Sequence, residues 1–466
     1  MMQTRDDNKI TLFERTPIPK AVVTLAIPTV ISSLVTIIYN LADTYFVGYL
    51  NDPVQNSAVT LASPVLLSFI AVNNLFGVGA GTAMSRALGR KDYDRVMRFA
   101  SFGFYSALLF SILFSVCITA FRMPLLHLLG ADASTIDATY DYLFWTGCCG
   151  AVPAILNVVM ANFVRSEGST LHASIGTMSG CILNIILDPI FILPFGLDMG
   201  AAGAGLATFL SNCVACIYFF VLLYVRRGKT YCSVDPRKAL PTKQIALEVF
   251  SVGIPASIQN LLNVTGMTVL NNFVAASGST SAVAAIGIAN KINMIPMYIG
   301  MGVSQGIMPL IGYNFASRNT KRMKDCLFFT VKITTSVMVA MMVIYLVFAP
   351  GLIGLFIKDA DTISYGTAFL RAMCLAVPFQ SFDFLGVGVY QACGKGHISL
   401  VFAICRKIVL EIPALFILNA VWPVYGLGYA TSITEFVLAI AAVFVLRNLL
   451  RSIEKDNAGS LPATSK

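Results

Sequence analysis

Between Lys20 and Asp43 lie 22 consecutive residues without a charge. At a rise of ~1.5 Å per residue, such a run is long enough to cross the hydrocarbon core of a bilayer as a helix. Pro28 sits inside it, and Asp43 precedes the end of the helix, expected near Tyr49. Proline removes a backbone hydrogen bond, and an ionisable group in lipid is costly. A helix that accepts both is a functional-site candidate.

The remainder of the chain has the same character. Of 466 residues, 57% are hydrophobic and only 12% charged, and the mean hydropathy is +0.77. So little charge cannot solvate the surface of a globular domain, which makes this an all-α integral membrane protein. The net charge of +9 is distributed as membrane topology requires and gives no reason to expect nucleic acid. The N-terminal stretch MMQTRDDNKITLFER carries acids and lacks the pattern of a cleaved signal peptide. Eleven cysteines fall almost entirely in apolar stretches, and His127, His172 and His397 are scattered. The cysteines read as small buried hydrophobes, with no metal site and no cofactor expected.

Apolar runs between polar or Gly/Pro breaks give twelve segments, roughly 21–48, 57–84, 97–121, 138–163, 171–193, 203–225, 246–275, 282–312, 327–350, 363–390, 398–420 and 424–446. With the N-terminus inside, the inner segments hold 25 of the 32 Lys and Arg residues and the outer loops hold two, Arg122 and Lys358. That bias places both termini in the cytoplasm. AIPTVISSLV from Ala26 reappears as GIPASIQNLL from Gly253, and GAGLAT from Gly203 as GLGYAT from Gly426. Six helices per copy make the repeat parallel, an architecture of secondary transporters. The expected organisation is a cytoplasmic N-terminus (1–20), a first lobe (21–225), a cytoplasmic linker (226–245), a second lobe (246–446) and a cytoplasmic tail (447–466). The chain contains no ATP-binding loop of the G-x-x-x-x-G-K-[ST] type, so transport would draw on an ion gradient.

Topology converts residue number into depth. Asp43 lies about six residues before the outer end of helix 1, Asp188 about six before that of helix 5, and Thr208 about five after the start of helix 6. Tyr39 and Asn184 each precede an acid by four residues and share its helix face. The five side chains offer only oxygen donors, suited to a proton or a hard monovalent cation such as Na⁺ on Asp43, Asn184, Asp188 and Thr208. Two neighbouring acids cannot both ionise cheaply in low dielectric, so the pair is expected to hold a proton near neutrality. The competing reading gives Asn184 and Asp188 a structural role, capping or kinking helix 5 ahead of Pro189.

The repeat sets Glu411 opposite Asp188, Lys407 opposite Asn184 and Leu270 opposite Asp43. The second half thus has an acid with a lysine four residues earlier, a pair able to neutralise itself. Asp383 is either a second titratable site or a partner of Arg371 or Arg406, and Glu435 has the same standing. Lys291, nine residues into helix 8, is expected to face a wet cavity. Met294 and Met297 follow it, as a surface for apolar ligands or as ordinary packing.

The ordered set of AIPTVISSL, YNLADTYFVG, ALGRKD and LDPIFILPFGLDMGAAGAGLAT resembles the multidrug and toxic compound extrusion (MATE) transporters, in their bacterial multidrug branch. The resemblance covers essentially the whole chain. It implies a V-shaped transporter of twelve helices in two pseudo-symmetric six-helix lobes: an antiporter of the bacterial inner membrane that exports bulky cationic, often aromatic drugs against H⁺ or Na⁺, working as a monomer. It also implies that Asp43, Tyr39, Asn184, Asp188 and Thr208 form the coupling site and that Pro28 is a hinge. Asp383 resembles a helix 10 acid used by other members. Where that subtype has a helix 7 glutamate, this chain has Gln259, Asn260 and Asn263. Three other readings fit less well. A lipid-linked glycan flippase would need a row of cavity arginines, and only Arg371 and Arg406 are candidates. A major-facilitator transporter would need a Gly-x-x-x-Asp-Arg-x-Gly loop, and a membrane enzyme would need clustered catalytic side chains.

Overall fold

In a computed structural model, the structure describes residues 7–276 and 279–458. Of the expected terminal segments, residues 1–6 and 459–466 lie outside the described residues. Among the described residues, nine helices are long and apolar enough to cross a membrane: α1 (Ile18–Tyr49), α2 (Pro53–Gly89), α3 (Tyr93–Ala120), α5 (Thr170–Ile192), α6 (Gly200–Val225), α7 (Lys243–Ala276), α8 (Thr280–Ala316), α9 (Thr320–Gly354) and α12, whose apolar part lies in Leu427–Lys455. Two further spans are bent: α4, formed by Ile136–Cys149 and Ala151–Ser166 at 50°, and α10, formed by Ala360–Cys374 and Val377–Ala392 at 48°. The remaining span, α11 (residues 396–421), runs through Gly396–Ile404, a π-helical stretch Cys405–Glu411 and Ile412–Val421. Its three charges, Arg406, Lys407 and Glu411, all lie in the π-helical stretch.

The chain packs as two compact units, one of residues 1–15 and 31–257 and the other of residues 16–30 and 258–466. These divisions fall at places other than the 226–245 stretch: α1 changes unit two residues after Pro28, and α7 two residues after Pro255. A repeated close approach accounts for both. In the first unit, a Cβ on Gly79 of α2 would lie 2.5 Å from the Val249 carbonyl oxygen and 3.2 Å from the Gly253 Cα of α7. In the second, a Cβ on Gly306 of α8 would lie 2.8 Å from the Ala26 Cα of α1. Gly79 and Gly306, like Ala26 and Gly253, are 227 positions apart. Each contact requires backbones closer than any side chain permits, so glycine is needed at both helix crossings.

Residues 226–245 are held to the first unit. The Glu167 carboxylate accepts hydrogen bonds from Thr230 Oγ1 at 2.7 Å and Tyr231 N at 2.8 Å. Ser101 and Tyr105 of α3 donate to the carbonyl oxygens of Ser233 and Val234 at 3.0 and 2.9 Å. The Tyr231 ring stacks on Tyr93 with centroids 4.9 Å apart.

Candidate functional site

Small residues bring α5 and α6 together where their polar side chains lie. Ala201, Gly203, Ala204, Gly205 and Ala207 are all buried on α6, and a Cβ on Gly180 of α5 would lie 3.1 Å from the Ser211 carbonyl oxygen. The start of α6 is held by Gln55 of α2, whose Oε1 accepts from Ala201 N at 2.7 Å. Thr208 is thereby set against Asn184. With its amide turned to satisfy both sides, Asn184 donates Nδ2–H to Asp188 Oδ2 at 2.9 Å. Its Oδ1 accepts from Thr208 Oγ1 at 3.3 Å and Thr208 N at 3.1 Å. Asn184 is 1% exposed and Asp188 0%, so the pair faces the interior.

Helix α1 supplies the rest. The Tyr39 hydroxyl hydrogen-bonds Thr208, and Tyr39, Asp43 and Asp188 lie within electrostatic range of one another. Asp43 is half-buried, but its Oδ1 is shielded from solvent and has no hydrogen-bond partner among the described residues. Among the described residues, no basic side chain contributes to the electrostatic surroundings of either acid. The structure therefore brings together all five residues that depth arithmetic had gathered from three helices. It also bears on the capping alternative: α5 continues through Pro189 to Ile192, so Asp188 does not end the helix. Pro28 lies inside an unbroken α1. Tyr142 of α4, buried beside Asp43, Tyr39 and Asp188, is a sixth member that sequence reasoning missed.

The second unit has a different polar core. Arg406 Nη1 lies 3.0 Å from Asp383 Oδ2, and its Nη2 pairs with Glu435 Oε1. All three are buried, and the guanidinium stands 5.8 Å over the Phe384 ring. At the next residue, Lys407 Nζ donates to both oxygens of Glu411, at 2.8 and 2.6 Å. Asp383 thus meets Arg406. Arg371 instead donates Nε–H to the Leu346 carbonyl at 3.1 Å. Lys291 is exposed and forms no ion pair among the described residues, while Met294 and Met297 of the same helix are half-buried. No group of three or more His, Cys, Asp or Glu residues that could hold a metal ion occurs among the described residues. The oxygen set of Asp43, Asn184, Asp188 and Thr208 suits a transported monovalent cation as well as a proton.

Two six-helix copies with a polar cluster buried inside each define a multispanning membrane transporter of the parallel-repeat type. The family model MatE matches residues 28–190 and again 255–417, so both copies begin at the helix proline, Pro28 or Pro255. The chain is 35% identical over 453 residues to the multidrug export protein MepA of Staphylococcus haemolyticus, covering 97% of this chain and 98% of that protein. It is 34% identical over 448 residues to MepA of Staphylococcus aureus, covering 95% and 97%. Among solved structures, an outward-facing multidrug resistance MATE family transporter of the MOP superfamily superposes with a TM-score of 0.88 at 27% identity, covering 96% of this chain and 99% of that one. A MATE transporter in complex with MaL6 gives 0.91 at 26%, covering 97% and 100%. The chain belongs to the MatE family and is a MATE transporter.

Proposed function

We propose that this transporter is a secondary active multidrug antiporter of a bacterial plasma membrane, with both termini cytoplasmic. It exports cationic and amphipathic, often aromatic drugs in exchange for H⁺ or Na⁺ and acts as a monomer in the bilayer. The observation that carries the reading is the pair of carboxylates: Asp188 is buried on the Asn184 amide, Asp43 is half-buried with one oxygen shielded and unpartnered, and no basic side chain among the described residues compensates either. Uncompensated charge in low dielectric has to be met by something that arrives, either a cationic drug or a coupling ion. The MepA relatives, named multidrug export proteins, support the choice of drug as cargo.

In this reading the ionised carboxylates attract a cationic drug from the cytoplasmic side. After the switch to outward-facing, a proton or Na⁺ entering from outside occupies the site of Asp43, Tyr39, Asn184, Asp188 and Thr208. Neutralised, the site loses its hold on the drug, and α1 bends at Pro28 to squeeze the cavity. The return step carries the ion inward. A potential of 100 mV supplies about 2.3 kcal/mol per charge, roughly fifty-fold in accumulation. The test is efflux of a cationic dye from proteoliposomes under separately imposed pH and sodium gradients. Efflux driven by either gradient is expected. Absence of efflux under both, with flipping of a lipid-linked glycan instead, would contradict the proposal.

A further inference from the structure

The polar face of α5 continues well past Asn184. Asp188, Asn184, Cys181, Thr177 and Ser174 follow at spacings of four, three, four and three, which keeps them on one side of the helix. The fourteen steps from Asp188 to Ser174 span about 21 Å of helix axis. Helix α1 repeats the pattern with Asp43, Tyr39 and Thr36, and Thr36 Oγ1 lies 3.8 Å from Cys181 Sγ. The two polar faces therefore look at each other two turns below the carboxylates. On α6, Ser211 and Asn212 follow Thr208 by one turn, and Asn212 Oδ1 accepts from Asn157 Nδ2 of α4 at 2.9 Å.

Two hydroxyls on this surface are unaccounted for. Hydroxyls within helices usually bond back to their own helix, as Thr36 does to the Ser32 carbonyl at 2.9 Å and Thr177 to that of Ala173 at 3.1 Å. Ser174 Oγ and Ser211 Oγ, in residues 0% and 4% exposed, have no hydrogen-bond partner among the described residues. A buried hydroxyl left unpaired is costly, and internal water is its usual partner.

We propose that the interior of the first unit holds a file of waters, anchored by Ser211 and Ser174, that conducts a proton from the Asp43–Asp188 pair towards the Ser174 end of α5. Under the proposed topology that end is cytoplasmic. The proton leaves the carboxyl group for the first water. Each water accepts one proton and passes one on, the last releases it to bulk solvent, and the carboxylate is restored. A hard metal cation needs a shell of several oxygens at every stop. This face offers about one hydroxyl, thiol or amide per turn, which suits a proton rather than Na⁺. The inference rests on the proposed coupling role of Asp43 and Asp188 and adds the identity and exit route of the ion.

Valine and threonine have nearly the same shape and differ in the hydroxyl, so paired substitutions isolate it. The measurement is drug-driven proton flux in proteoliposomes, read by a luminal pH dye, for Ser174→Val against Ser174→Thr and Ser211→Val against Ser211→Thr. Equilibrium binding of the drug is measured alongside. Flux at least tenfold slower in each valine variant, with threonine within threefold of wild type and drug affinity unchanged, is expected. Equal flux in valine and threonine variants would overturn the route. If the larger side chains impair folding, the smaller Ser174→Ala/Ser211→Ala variant is used, and wild-type flux in it overturns the route equally. Asp43→Asn separates this inference from its premise. Proton-coupled flux that survives Asp43→Asn removes the coupling site itself, whereas flux lost there but intact in the serine variants removes only the route.

Discussion

The two repeats bury their charges in opposite ways. In the first, Asp188 accepts from the Asn184 amide, which also meets Thr208, Asp43 lies within electrostatic range of Tyr39 and Asp188, and no cation among the described residues balances either acid. In the second, Arg406 is shared between Asp383 and Glu435, and Lys407 is clamped on Glu411. The same six-helix plan thus carries a site with no cation of its own among the described residues in one copy and a network of two cations and three carboxylates in the other. Charge already met by a tethered partner has little to gain from an ion, whereas charge met only by dipoles responds strongly to one. The difference explains why the coupling role is proposed for the first repeat.

Substitutions can break this contrast from either side. The largest effect is expected at the uncompensated pair: Asp43→Asn or Asp188→Asn should reduce drug export to background while folded protein still reaches the membrane, as checked by transport and size-exclusion profiles. Next comes Arg406→Met, which strands two buried carboxylates. It should cost about 3–5 kcal/mol of stability, read as a lowered melting temperature in detergent. Thr208→Ala removes one hydrogen-bonding partner from the cluster and should weaken coupled export roughly tenfold, equivalent to about 1.4 kcal/mol. Lys407→Met combined with Glu411→Gln removes a closed pair as a unit and should shift stability by no more than about 1 kcal/mol, with export retained.

The smallest effect concerns pH. Outside the membrane spans, hydrogen bonds from Ser134 and Thr135 hold the Asp132 carboxyl down at about 2, and those from Thr362 hold Asp359 below its usual range. A depressed carboxyl contributes stability that is present above its unfolded value near 4 and lost as pH falls towards its folded value. Neither group titrates between pH 5 and 8. Asp132→Asn should therefore leave a transport–pH profile over that window unchanged, and any titration seen there belongs to other groups.

Much of this was legible in the sequence because bilayers impose simple rules. Hydrophobic length located the spans, and one repeat offset of 227 recovers the Gly79 and Gly306 crossings. The depth of Asp43, Asp188 and Thr208 could be computed because straight helices rise evenly. Tyr142 escaped for the complementary reason. It carries no charge, and it sits just before the π-helical stretch Phe144–Cys149 at the bend of α4, where even spacing fails. Counting about five residues in from the outer end of helix 4 would have put it level with Thr208. The exchange of α1 and α7 between packing units was also invisible, because chain order says nothing about which neighbour a helix half packs against. Asp383 stayed open between two arginines until geometry chose Arg406.

The most direct test compares the two repeats in a single assay. Proteoliposomes carrying a luminal pH dye are challenged with drug, using Asp43→Asn/Asp188→Asn on one side and Lys407→Met/Glu411→Gln on the other. The account predicts that drug-driven ion flux vanishes in the first variant and persists in the second. Flux that persists in the first and vanishes in the second would contradict it.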